Sequence, residues 1–141
     1  TALRALHETL SETPLPGAVL TIRGARLFGG RRPRLFAAEA LRNPDLIELH
    51  RVVRGAIRLA GITLPRERFR PHVTLTRFQR REVEADRARI EQIATVFAGL
   101  ALDPVRAETV GLYRSTLTEE GAIYDELASY PLEGSDEGDL V

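Results

Sequence analysis

Apolar residues recur along the chain at two spacings, and the switches between them mark out the elements. Leu3, Leu6 and Leu10 stand at helical spacing in residues 2–11, and Pro14 and Pro16 close that segment. Residues 18–27 alternate instead and carry β-branched side chains, which predicts a strand. A Gly-Gly-Arg-Arg-Pro turn at 29–33 leads into residues 34–40, which read as the returning strand of a hairpin. Asn43-Pro44-Asp45 is a helix start, because Asn caps free backbone N–H groups and Pro is tolerated in the first turn. Leu46, Leu49, Val53, Ile57 and Ala60 then hold helical spacing until Gly61, whose backbone freedom supplies a left-handed stop. Residues 72–78 alternate again and predict a strand, and residues 82–98 predict a helix with Ile90, Ile93, Phe97 and Leu100 on one face. Residues 105–117 and 122–130 predict two strands around Glu119-Glu120-Gly121, a closing hairpin. The acidic, Gly-rich residues 133–141 read as a solvated tail beyond a single domain of residues 1–132. The order α-β-β-α-β-α-β-β predicts an α+β fold with mostly antiparallel sheet.

Composition changes this picture in three ways. The formal charge is zero, but all twenty basic residues are Arg and they cluster: residues 1–90 hold 18 Arg against 9 acidic residues, and residues 91–141 hold 2 Arg against 11. The absence of Lys fits codon bias, which does not explain the asymmetry. With no Cys there is no thiolate nucleophile, disulfide framework or Cys-ligated metal, so any catalysis falls to His, Ser, Thr, Tyr, Arg or carboxylates. No apolar run approaches the roughly 18 residues that span a bilayer, and no signal peptide opens the chain, which makes a cytoplasmic location the expectation.

Only three His are present, so the search for a proton-transfer group near neutral pH is short. His72 stands in Pro71-His72-Val73-Thr74-Leu75, where the strand period of two sets His72 and Thr74 on one face. That pairing joins an imidazole able to exchange a proton with a hydroxyl able to hold a phosphoryl oxygen. Arg66, Arg68 and Arg70 precede it and Arg77, Arg80 and Arg81 follow, with only Glu67 opposing. The planar Arg fork suits phosphate, so the segment is a candidate phosphate-handling site.

The run Arg68-Phe69-Arg70-Pro71-His72-Val73-Thr74-Leu75-Thr76-Arg77 resembles the second signature of the 2H phosphoesterases. Within them it resembles the RNA 2′,3′-cyclic phosphodiesterases, also called 2′-5′ RNA ligases. The turn at 29–34, the Asn43-Pro44-Asp45 helix with His50 and the Leu112-Tyr113-Arg114-Ser115 strand agree with this resemblance, which covers residues 2–132. It implies a bilobal fold of two mostly antiparallel sheets, with helices outside and a central cleft. The implied activity is metal-independent opening of RNA terminal 2′,3′-cyclic phosphates to 2′-phosphates, with ligation as the reverse. The implied partners are RNA ends or cyclic nucleotides, with no cofactor, no metal, no membrane and a monomeric state. His72 would be the acid or the base, Thr74 a phosphate ligand and Arg77 a charged phosphate contact.

Such enzymes use two His-x-Thr/Ser motifs, so a second is required. His7-Glu8-Thr9 matches the letters, but helical residues two apart diverge by about 200°, and the Leu stripe predicts a helix there. His7 is therefore expected to pack, and the first motif is expected upstream of Thr1. The absence of any Met, and so of a start residue, strengthens that expectation. His50 reads as a helix boundary residue, and Tyr113, Tyr124 and Tyr130 as core or edge packing in the final hairpin. Two alternatives stay open: a catalytically inactive RNA-binding module of the same fold, and a phosphodiesterase for small cyclic nucleotides.

Overall fold

The computed structural model describes residues 1–134, so the tail expected over 133–141 lies outside the described residues from position 135 onward. Ten elements follow in the order α1 (Ala2–Glu12), β1 (Ala18–Leu20), β2 (Ile22–Phe28), β3 (Leu35–Ala40), α2 (Pro44–Leu59), β4 (His72–Arg77), α3 (Arg80–Phe97), β5 (Val105–Ala107), β6 (Thr109–Thr118) and β7 (Gly121–Pro131). The fold is α+β, and the β2–β3, β3–β4 and β6–β7 ladders are antiparallel, as the apolar pattern predicted. Two differences are local. The single strand expected over 18–27 is interrupted at Thr21, and the first strand of the closing hairpin is interrupted at Glu108.

Contacts divide the chain into two compact units, one of residues 1–19, 44–67 and 106 onward, the other of residues 20–43 and 68–105. In the first unit α1 packs on α2 and β7. Its core is the Leu6–Leu10 side of α1, Leu46, Leu49 and Ala56 of α2, and Tyr130 and Leu132 near the end of β7. Helix α1 is opened by the Thr1 hydroxyl, which accepts from the Arg4 N–H at 3.2 Å. Helix α2 ends where Gly61 takes φ +85, the left-handed stop expected there.

In the second unit the sheet order is β2-β3-β4, and α3 packs against β2. Ala25, Phe36 and Ala38 of the sheet and Val83 and Ile90 of α3 are buried, and the Phe36 ring meets Phe97 with centroids 6.3 Å apart. Burying a side chain the size of Phe36 contributes roughly 2–3 kcal/mol. The stripe expected on α3 is only partly correct: Ile90 is buried, whereas Ile93 is 44% and Phe97 47% exposed. The helix loses regular geometry at Asp86 (φ −124), which lies N-terminal to all of these residues. Among the described residues no helix is long and apolar enough to cross a membrane, and no His, Asp and Glu cluster is arranged to hold a metal.

Candidate active site

Cross-strand partners lie on the same side of a sheet, so register decides which side chains share a face. His72 pairs with Glu39 and Thr74 with Ala37, and these partners are two apart on β3. His72 and Thr74 therefore share a face. Simple alternation would send Arg77 to the opposite face, because it stands three positions from Thr74. The ladder prevents this. Thr74 pairs with Ala37 but Thr76 with Phe36, so Leu75 is an extra residue on β4. Arg77 then pairs with Leu35 and returns to the face of Ala37, Glu39, His72 and Thr74.

A second irregularity acts on β2. Ile22 pairs with Ala40 and Ala25 with Ala38, leaving one extra residue between them, and Gly24 takes φ +85 there. The offset keeps Ile22 and Ala25 on the α3 side and sets Arg26 and Phe28 on the face of His72. One face of this sheet thus packs against α3, while the other presents Arg26, Phe28, Glu39, His72, Thr74 and Arg77.

His72 is exposed, and its orientation is fixed locally. Its Nδ1 lies 2.6 Å from the Arg70 carbonyl oxygen. A carbonyl only accepts, so Nδ1 carries a proton and donates it to this bond. In the neutral ring Nε2 is then left with its lone pair, the state of a base. The Phe28 ring packs against the imidazole, with centroids 5.2 Å apart and planes tilted by 32°. The guanidinia of Arg26 and Arg70 sit over the same Phe28 ring at 5.1 and 4.9 Å, and Arg26 also pairs with Glu39 at 2.7 Å. Phe28 was not singled out from the sequence. Its only signal there was its place two residues after Arg26, since contact with His72 depends on pairing across two strands.

The other His-x-Thr pair has different surroundings. His7 and Thr9 lie on α1. The Thr9 hydroxyl donates to the Ala5 carbonyl at 2.7 Å, and His7 Nδ1 is 2.8 Å from the Tyr130 hydroxyl. Burial of Tyr130 pushes its phenol above the usual range. One cavity beside this pair, about 710 Å³, includes Glu12 and Glu133 in its lining and no Arg, and a second, about 370 Å³, includes His7, Arg4 and apolar residues in its lining. His50 is half-buried on α2. Of the three tyrosines, Tyr130 is core, whereas Tyr113 and Tyr124 are 54% and 55% exposed.

Comparison with known proteins bears on the family and the fold. The sequence profile of a family described as LigT-like phosphoesterase matches residues 41–124, the part of the chain that contains α2 and β4. No curated protein sequence matches significantly. Among solved structures, E. coli LigT complexed with 3′-AMP is similar at 21% identity and a TM-score of 0.63, covering 94% of this chain and 69% of that one. A protein of Thermus thermophilus is similar at the same identity, TM-score and coverage. E. coli LigT complexed with NADP+ is 21% identical with a TM-score of 0.58, covering 93% of this chain and 67% of that one. At these identities the likeness concerns the fold.

Proposed function

The chain belongs to the LigT-like phosphoesterase family, and from that premise we propose that it opens the terminal 2′,3′-cyclic phosphate of RNA to a 2′-phosphate. The observation that carries this reading is the shared face of His72, Thr74 and Arg77, with His72 Nε2 left as the reactive nitrogen. In the reaction water attacks phosphorus and the bond from phosphorus to O3′ breaks. One group takes a proton from the water while another gives one to O3′. His72 performs one of these transfers, Thr74 donates its hydroxyl hydrogen to a non-bridging oxygen, and Arg77 offsets the charge that builds on the phosphoryl group. The Arg70 carbonyl fixes the orientation of the ring. E. coli LigT is known in complex with 3′-AMP and with NADP+, which supports a nucleotide as the substrate class.

The test compares His72→Ala and His7→Ala on an RNA ending in a 2′,3′-cyclic phosphate. His72→Ala is expected to lower kcat by at least about 100-fold, the usual scale of a lost acid or base, with an unchanged circular dichroism spectrum. His7→Ala is expected to stay within about twofold of wild type. A folded His7→Ala protein without activity would transfer the catalytic role to α1 and refute this reading. The same assay on cyclic mononucleotides separates an RNA-end enzyme from a small-molecule phosphodiesterase, and binding without any turnover would identify an inactive RNA-binding module.

A further inference from the structure

The face that carries His72 continues into a hollow of about 260 Å³ whose walls include Arg26, Phe28, Glu39, Arg42, Arg68 and Arg70. Four guanidinium groups border it against one carboxylate, and that carboxylate is already engaged by Arg26 at 2.7 Å. The remaining charges of Arg42, Arg68 and Arg70 have no carboxylate partner in the hollow. A concave surface of one sign concentrates the opposite charge, and Arg binds phosphate through two parallel hydrogen bonds. Arg26 and Arg70 are also held over the Phe28 ring at 5.1 and 4.9 Å, so part of the ordering that binding an anion requires is present beforehand. The hollow adjoins His72 twice: Phe28 lines it and packs on the imidazole, and Pro71, another of its lining residues, directly precedes His72.

Resting on the reading of His72 as the phosphodiester-opening residue, we propose that this hollow is a second phosphate subsite. It takes the internucleotide phosphodiester next to the reacting end of an RNA strand. The protein would then prefer chain ends over mononucleotides, because only a chain supplies the second anion. Arg42 and Arg68 are the residues that define the subsite without contacting the reacting phosphate.

The experiment compares kcat/KM of the full chain on adenosine 2′,3′-cyclic phosphate, on the adenylyl-adenosine dinucleotide with the same cyclic end, and on that dinucleotide with a neutral methylphosphonate linkage. The natural dinucleotide is expected to be at least tenfold better than the mononucleotide. That gain is expected to vanish with the methylphosphonate and in the Arg42→Gln/Arg68→Gln double variant, whose mononucleotide kcat/KM stays within twofold of wild type. Equal efficiencies, or a gain that survives loss of the linkage charge or of both Arg, would overturn the subsite. Fluorescence anisotropy of a labelled five-nucleotide RNA without a cyclic end reads the same hollow independently of catalysis. There the double variant is expected to weaken binding at least fivefold, and unchanged affinity overturns the proposal. If no cyclic substrate is turned over, the activity reading falls while the anisotropy result still decides the subsite.

Discussion

His7 and His72 have the same side chain and the same two-residue step to a threonine, but hydrogen bonding gives them different chemistry. The Nδ1 of His72 faces a carbonyl at 2.6 Å, which leaves Nε2 available, whereas His7 Nδ1 is engaged by a buried phenol at 2.8 Å. The Tyr130 side of that second contact makes a pH-dependent prediction. Burial raises its pKa above the usual 10.0. Below that value the folded and unfolded chains both hold the proton, so the group adds nothing to the pH dependence. Above it the unfolded chain ionises first, and stability falls as pH rises through the folded value. Tyr130→Phe removes this dependence together with the bond to His7, a bond worth about 1 kcal/mol. The wild-type Tm is therefore expected to exceed that of Tyr130→Phe by a constant margin from pH 7 to 9 and to lose that margin above pH 10. A margin unchanged between pH 8 and 11 would count against the assignment. At this scale the sequence was informative about His72 and Thr74, because strand alternation puts both on one face. It was silent about Phe28, whose contact with His72 reaches from β2 to β4 across the intervening β3.

Elements with their own start and stop chemistry were legible from the chain alone. Helix α2 is the example, since Asn43, Pro44 and Gly61 are local signals and the structure places the helix between them. The bulges were not legible, because an extra residue is defined only against a partner strand. That has a functional consequence. Alternation alone assigns Arg77 to the face opposite His72, and the extra residue at Leu75 reverses the assignment. On β2 the corresponding offset depends on Gly24, whose φ of +85 disfavours any side chain and whose added Cβ would lie 3.2 Å from the Ala98 carbonyl oxygen. Gly24→Ala is expected to lower stability by about 1–3 kcal/mol, the cost of a strained backbone position held by its surroundings. Urea denaturation followed by circular dichroism measures it. A midpoint within error of wild type would mean that β2 accommodates the side chain by relaxing its register.

For the whole molecule, zero net charge conceals a segregation between the two compact units as well as along the sequence. The unit of residues 20–43 and 68–105, which holds His72, has 13 Arg against 6 acidic residues, a net of +7, and the remainder of the chain carries −7. Surface ion pairs account for little of the positive excess: Arg26, Arg80 and Arg87 pair with Glu39, Glu84 and Glu91, and such exposed pairs are screened and weak. A chain with a pI of about 6.8 is therefore expected to bind a polyanion despite its neutrality. Two phosphates neutralised, one at Arg77 and one in the adjoining hollow, release counterions with a log–log salt slope of about −1.4 for single-stranded RNA, at about −0.7 per phosphate. The Arg42→Gln/Arg68→Gln variant should flatten that slope by about 0.7, because it removes one of the two contacts. Anisotropy titrations of a short single-stranded RNA over a range of salt concentrations measure both slopes. Parallel slopes for wild type and variant would show that the positive charge of this unit acts as a diffuse field and that Arg42 and Arg68 hold no phosphate of their own.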